Sequence, residues 1–256
     1  MSASGNRIDE RTFQTREATS SSDVLAFYDA YAPSWDDRFG ESPTTKVFHR
    51  MRLESLLALA RFSPADRAIE IGVGTGAYLD DLAPLVRELI CIDGSRGMLD
   101  VLEAKHRHLT NIRTMQIDLE RPSDVSFEAD VVYCFGLLEH IIDVPAFLKN
   151  CHRMLKVGGR LIIVAPNGDS PWYGSMRRIF RAGRHCSSDR YYSLTECTAL
   201  LAAHGFTFEA AKYWGYAPAG VPPLLYGALT AIGRVVDRTW LRRYAGGLTA
   251  SFIRCD

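Results

Sequence analysis

The chain of 256 residues balances 30 basic against 30 acidic side chains and is 47% hydrophobic. This is enough apolar mass for one large α/β domain, and the even charge argues against broad electrostatic capture of nucleic acid. No stretch offers about 18 uninterrupted apolar residues for a membrane span, and the N-terminus lacks the apolar core of a signal peptide, so a cytoplasmic location is expected.

Residues 1 to 20 are polar and rich in Ser and Thr, and read as a disordered leader to a single domain over 21 to 256. DVLAFYDAYAPSWDDRF (23 to 39) places Phe27, Tyr28, Tyr31 and Trp35 at helical spacing, either as plain core packing or as a helical lid that offers Tyr28 or Tyr31 to a ligand. A second helix is expected from about Thr44 to Arg61, ending before Ser63-Pro64 and carrying Arg50 and Arg52. Then comes AIEIGVGTGAY (68 to 78), a short apolar strand that runs into Gly72, Gly74 and Gly76, with Leu79, Leu82 and Val86 following at helical spacing. Strand, tight loop and helix make a nucleotide-binding corner, since glycine allows close backbone approach and the next helix points free N–H groups at the ligand. Ala77 completes G-x-G-x-x-A, so a dinucleotide and S-adenosylmethionine (SAM) both remain open on this loop alone.

LICID (89 to 93) is a second buried strand ending in Asp93, with Ser95 as N-cap of a helix to about His106. A carboxylate at a strand end beside a glycine corner can accept both hydroxyls of a ribose. The third strand, IRTMQID, ends in Asp118, where an acceptor can take the exocyclic amino group of an adenine; a second such carboxylate is less expected of a nicotinamide enzyme. ADVVYCFG (129 to 136) is a fourth strand, a helix follows with Phe147, Leu148, Cys151 and Leu155 inward, and RLIIVAPN is a fifth strand. Four strand ends, at Gly72, Asp93, Asp118 and Phe135, thereby open onto one edge of a parallel sheet, the edge at which open α/β sheets bind ligands.

Residues 168 to 192 break the pattern with aromatics among five arginines, before a Ser193/Glu196 capping box opens the next helix. FTFEAAKYWG and LTASFIRC are the sixth and seventh strands, separated by an apolar insertion over 216 to 246 that carries Arg234, Arg238, Arg242 and Arg243. The insertions admit three readings: a lid over an aromatic or apolar molecule, a peripheral contact with a membrane, or a homodimer surface. The six cysteines contain no Cys-x-x-Cys pair and read as reduced structural thiols. Cys186, Cys197, His185 and His204 fall at no usual ligand spacing, so no metal is expected.

In this order EIGVGTG, CIDGS, QIDLE, FGLLEHIID and MLKVGGRLIIVAPN resemble the class I SAM-dependent methyltransferases, and most closely the small-molecule branch that includes the ubiquinone-pathway O-methyltransferases; FYDAYAPSWDDRF looks like that group's lid helix. The resemblance covers about Asp23 to Gly215. It implies a seven-stranded Rossmann-like sheet, mostly parallel with an antiparallel last strand, helices on both faces, an N-terminal helical lid and insertions after strands five and six. It implies SAM as cofactor, with Gly72, Gly74 and Gly76 at the methionine part and Glu70 bracing the loop and approaching the methionine amine through water. Asp93 would hold the ribose, Asp118 with Leu119 would flank the adenine, Gly94 and Met98 would be further cofactor contacts, and Phe135 and Leu137 would line the cofactor. An arginine of the N-terminal helix contacts the cofactor in that branch, which points to Arg50 or Arg52, with Tyr28 on the lid.

FGLLEH replaces the Asp/Asn-Pro-Pro-Tyr/Phe motif of base-methylating enzymes, Glu139 stands alone where protein arginine methyltransferases carry two glutamates, and no Tyr-x-x-x-Lys supports a short-chain dehydrogenase. The expected activity is methyl transfer to a small organic acceptor, foremost a hydroxyl of an aromatic or apolar metabolite, with nitrogen or carbon acceptors as the alternative. A nicotinamide oxidoreductase and a non-catalytic SAM-binding module are the readings from other classes. His140, after the fourth strand at the methyl-facing edge, is the candidate base, because an imidazole titrates in the useful range. Tyr31, Trp172, Tyr191 and Tyr192 are candidates for orienting the acceptor.

Overall fold

Apolar residues alternate between two faces along the central strands, and each face carries its own core. In the computed structural model, which describes residues 18–39, 43–122, 125, 127–171, 190–216 and 223–256, seven strands form one sheet. They are β1 (Arg67–Ile71), β2 (Glu88–Asp93), β3 (Ile112–Gln116), β4 (Ala129–Phe135), β5 (Leu155–Pro166), β6 (Phe206–Trp214) and β7 (Gly247–Arg254). The order is β3-β2-β1-β4-β5-β7-β6, with β1 to β5 parallel and β7 antiparallel to both of its neighbours. The chain turns from one half of the sheet to the other between β1 and β4, the place where ligand crevices form in open α/β sheets.

The helices are α1 (Ser21–Tyr31), α2 (Pro43–Ala60), α3 (Leu79–Leu82), α4 (Arg96–Lys105), α5 (Val144–Met154), α6 (Leu194–Ala202) and α7 (Pro223–Val236). On one face Ile69, Ile71, Val132 and Ile163 pack with Phe147, Leu148 and Cys151 of α5 and Leu201 of α6. On the other, Ala68, Cys91, Tyr133 and Val164 pack with Leu56 and Ala60 of α2, Leu82 of α3 and Leu99 and Leu102 of α4. Ser95 accepts from Met98 N–H at the start of α4, and Ser20 and Ser193 form reciprocal capping boxes at α1 and α6.

The helix expected after the glycine loop is cut short. α3 lasts one turn and tightens into a 3-10 segment over Ala83–Leu85, because Pro84 has no N–H to give an α-helical ladder. Cys91, Cys134, Cys151 and Cys197 are buried. Among the described residues no helix is long and apolar enough to cross a membrane. Residues 1–17 of the expected leader (1–20), most of the first insertion (172–189, with Trp172, His185 and Cys186) and residues 217–222 of the second lie outside the described residues, while Ser20 at the leader's end caps α1.

Candidate functional site

β1 delivers Ile71 to the carboxyl edge of the sheet, and the chain then needs two left-handed positions, Gly72 at φ +66° and Gly74 at φ +56°. Gly72 N–H donates to Ile92 O at 2.8 Å and Gly74 N–H to Asp93 Oδ2 at 2.8 Å, which ties the loop to the end of β2. Asp93 Oδ1 accepts from Ser95 N–H at 2.9 Å. Removal from water, with the Asp29 carboxylate nearby, pushes the Asp93 carboxyl up to about 6 against those backbone bonds.

A cavity of about 520 Å³ opens over this edge. Its floor is Glu70, Gly72, Gly74, Asp93, Phe135 and Leu137, the ends of β1, β2 and β4. Met98, Asp118 and Leu119 also line it. α1 lies across it as a lid: Ser21 Oγ donates to Asp118 Oδ2 at 2.8 Å, Gly97 N–H donates to Asp29 Oδ1 at 3.0 Å, and Trp35 just beyond α1 closes over Gly74. Tyr28 of α1 meets the His140 ring edge to face, with centroids 5.7 Å apart. Glu70 is 2% exposed and accepts from Tyr133 Oη at 3.1 Å; burial pushes its carboxyl up to about 8, opposed by that bond and by the Arg52 charge.

The opposite wall comes from α2. Thr45, Phe48, His49 and Arg52 recur at i, i+3, i+4 and i+7, a single helix face, and all four line the cavity. Arg52 lies 5.5 Å from the centroid of the Phe135 ring. His49 Nδ1 and Tyr78 Oη are hydrogen-bonded at 2.8 Å, and burial together with the Arg52 charge pushes His49 down to about 4, so its ring is neutral at physiological pH. Tyr78 in turn stacks on Phe135 at 4.3 Å.

Phe48 meets Trp214, the last residue of β6, edge to face at 5.3 Å. Trp214 is held in place from behind. Its Nε1–H donates to Thr249 Oγ1 at 3.0 Å, Thr249 shares a 2.6 Å hydrogen bond with Ser55 Oγ, and a Cβ on Gly247 would fall 2.2 Å from the indole. With its one donor used internally, the indole offers the cavity only apolar surface.

Of the residues singled out in the sequence, His140, Glu70, Gly72, Gly74, Asp93, Gly94, Met98, Asp118, Leu119, Phe135, Leu137, Tyr28 and Tyr191 line this cavity. Gly76 does not; at φ +77° it turns the chain into α3, and a Cβ there would lie 2.7 Å from Leu79 Cδ1. Arg50 is exposed and off the cavity, and Arg52 of the same helix takes its place. Tyr31 is buried against Phe27 at 4.7 Å, and Tyr192 is buried in the core with the Arg190 guanidinium 4.8 Å from its ring centroid. Phe48, His49, Tyr78 and Trp214 escaped the sequence reading, although the i, i+3, i+4, i+7 stripe of α2 was there to be seen; it mixes polar with aromatic residues, and a search for apolar periodicity passes over it.

Residues 69–163 match the family model of a methyltransferase domain. The ubiquinone biosynthesis O-methyltransferase of Acinetobacter baylyi is 24% identical over 152 residues, covering 58% of this chain and 64% of that protein. The enzyme of the same name from Methylococcus capsulatus is 28% identical over 142 residues, covering 55% and 60%. The chain thus spans less than two thirds of the length of these relatives. Among solved structures, a DhpI-SAM-HEP complex superposes with a TM-score of 0.63 at 20% identity, over 92% of this chain and 99% of that one. N-methyltransferase NodS from Bradyrhizobium japonicum, in complex with S-adenosyl-L-homocysteine (SAH), gives 0.58 at 17% identity, over 86% and 91%.

Proposed function

For a chain that is a class I SAM-dependent methyltransferase in fold and domain, we propose that it transfers a methyl group to a hydroxyl of a small aromatic or apolar acceptor. The observation that carries the reading is one cavity with two unlike halves: a glycine and carboxylate half beneath α1, and an aromatic half against α2 and β6. The first half suits SAM. Gly72 lets the loop pack against Leu137 and Gly74 presents bare backbone to the cavity, Asp93 keeps lone pairs for a ribose diol, and Asp118 beside Leu119 and Met98 suits an adenine edge and face. Glu70 and Arg52 supply one acid and one base for the amino-acid end of the cofactor.

Bound SAM supplies an electrophilic methyl group on a sulfonium. What remains for the protein is to hold the acceptor oxygen in line with that methyl group and to take its proton as the new O–C bond forms and the S–C bond breaks. His140 is our proton acceptor, with Tyr28 and Tyr191 lining the approach. The aromatic wall of Phe48 and Trp214 would take the acceptor's ring, and the neutral His49–Tyr78 pair would hydrogen-bond a polar substituent. The names of the O-methyltransferase relatives support an oxygen acceptor, while NodS keeps an amine in view.

Titration calorimetry with SAM and with NAD tests the cofactor half, and only SAM should bind. Incubation with labelled SAM and a panel of phenols, amines and sugars tests the acceptor half, with label expected on the phenols. His140→Ala should lower turnover by about 10²-fold or more with SAM affinity unchanged; near-normal turnover would remove His140 from the role.

A further inference from the structure

Behind the glycine loop, outside the cavity, three side chains from two elements converge. His108 Nε2 lies 2.8 Å and His106 Nδ1 3.3 Å from the same Asp80 oxygen, Oδ1, and all three ligand atoms fall within 4.8 Å of one another. We propose that Asp80, His106 and His108 form a binding site for a divalent transition metal such as Zn²⁺. The proposal does not depend on the methyltransferase reading, because none of the three residues lines the cofactor cavity.

The distances suit the ion. Metal-to-nitrogen and metal-to-oxygen bonds of about 2.1 Å put neighbouring ligands about 3.0 Å apart at right angles and about 3.4 Å apart in a tetrahedron. The two Asp80 separations match these edges. The third edge, between the imidazoles, closes by movement of His108, whose side chain is 61% exposed. Two imidazoles with one carboxylate favour Zn²⁺, Co²⁺ or Ni²⁺ over Mg²⁺ and Ca²⁺, which prefer all-oxygen sets. Three protein ligands leave a position for water or another small ligand.

The ligand-bearing segments are tied together by hydrogen bonds of their own. His106 is the C-cap of α4, its N–H donating to Leu102 O at 2.9 Å, and Leu109 N–H donates back to His106 O at 3.0 Å, closing the turn that carries His108. Asn111 Nδ2 donates to Ala83 O at 2.8 Å and Val86 O at 3.1 Å, which fastens this turn to the segment following Asp80. His106 is buried and serves as the fixed ligand, while Asp80 and His108 face solvent, so an ion has a direct path in.

Titration of the chelator-stripped full chain with Zn²⁺ should show one ion per chain. Asp80→Asn and His108→Ala, both at exposed positions and expected to keep the wild-type circular dichroism, should each weaken binding by about tenfold or more. Absence of stoichiometric Zn²⁺ binding, or affinity in either variant within a few-fold of wild type, overturns the site. Co²⁺ substitution gives a second readout: a thiolate charge-transfer band would put the metal on cysteine and refute the assignment, and its absence with ligand-field bands from nitrogen and oxygen ligands supports it.

Discussion

Glu70 sits at the floor of the cavity with a carboxyl raised from 4.5 to about 8, the largest cause being burial. Between those values the unfolded chain releases a proton that the folded chain keeps, so the stabilisation is complete at low pH and is lost as pH rises through about 8. Asp93, raised from 3.8 to about 6, acts in the same direction over a lower window. Urea unfolding of the ligand-free protein should therefore show stability falling by on the order of a few kcal/mol between a pH of about 6 and about 8, and Glu70→Gln should flatten that decline. A flat profile over the same interval would mean that Glu70 is already ionised in the fold. Asp93 was legible in the sequence because it ends the apolar run of β2, and Asp118 because it follows the third strand, which stops at Gln116, two residues earlier than the sequence suggests. The electrostatics of Glu70 were not, since they depend on Tyr133 from β4 and Arg52 from α2.

The glycine loop and α2 differ in how openly their roles are written. The loop declares itself through residue type, and its two cavity glycines make separate demands. A Cβ on Gly72 would fall 2.7 Å from Leu137 Cδ1, whereas the nearest atom to a Cβ on Gly74 is Trp35 Nε1 at 3.8 Å. Both substitutions to alanine carry the left-handed backbone cost of about 1–2 kcal/mol, and only Gly72→Ala must also displace a cavity-lining leucine. Gly72→Ala should accordingly lose more stability in chemical denaturation and more SAM affinity in calorimetry than Gly74→Ala; equal losses would argue against the contact with Leu137. α2 reads as an ordinary packing helix, with Leu56 and Ala60 inward, because the core face of its C-terminal half dominates its pattern. The cavity face of its N-terminal half has meaning only once β6 brings Trp214 across to Phe48.

At the level of the whole molecule, the described residues of the second insertion are set apart from the site. No described residue of 216–246 lines the cavity, so the described residues do not carry a lid there. α7 and the segment after it instead expose Leu224 at 92%, Ile232 at 58%, Val235 at 67% and Trp240 at 68%, with Arg238, Arg242 and Arg243 on the surface around them. Apolar side chains among arginines suit a peripheral contact with an anionic bilayer. Co-sedimentation with anionic liposomes at low salt should retain the protein, and Leu224→Asp with Val235→Asp should release it. Concentration-dependent dimerisation abolished by the same pair would assign the surface to a second copy. The strands themselves, the corner at β1 and the carboxylates at the ends of neighbouring strands are local matters, set by strand patterning, glycine spacing and caps that neighbouring residues impose on one another. The aromatic half of the cavity is a long-range product: Phe48, His49 and Arg52 meet Tyr78 and Trp214 because β7 inserts antiparallel between β5 and β6 and carries Gly247 and Thr249 behind the indole. Pairings between segments so distant in the chain leave no periodic trace in either of them.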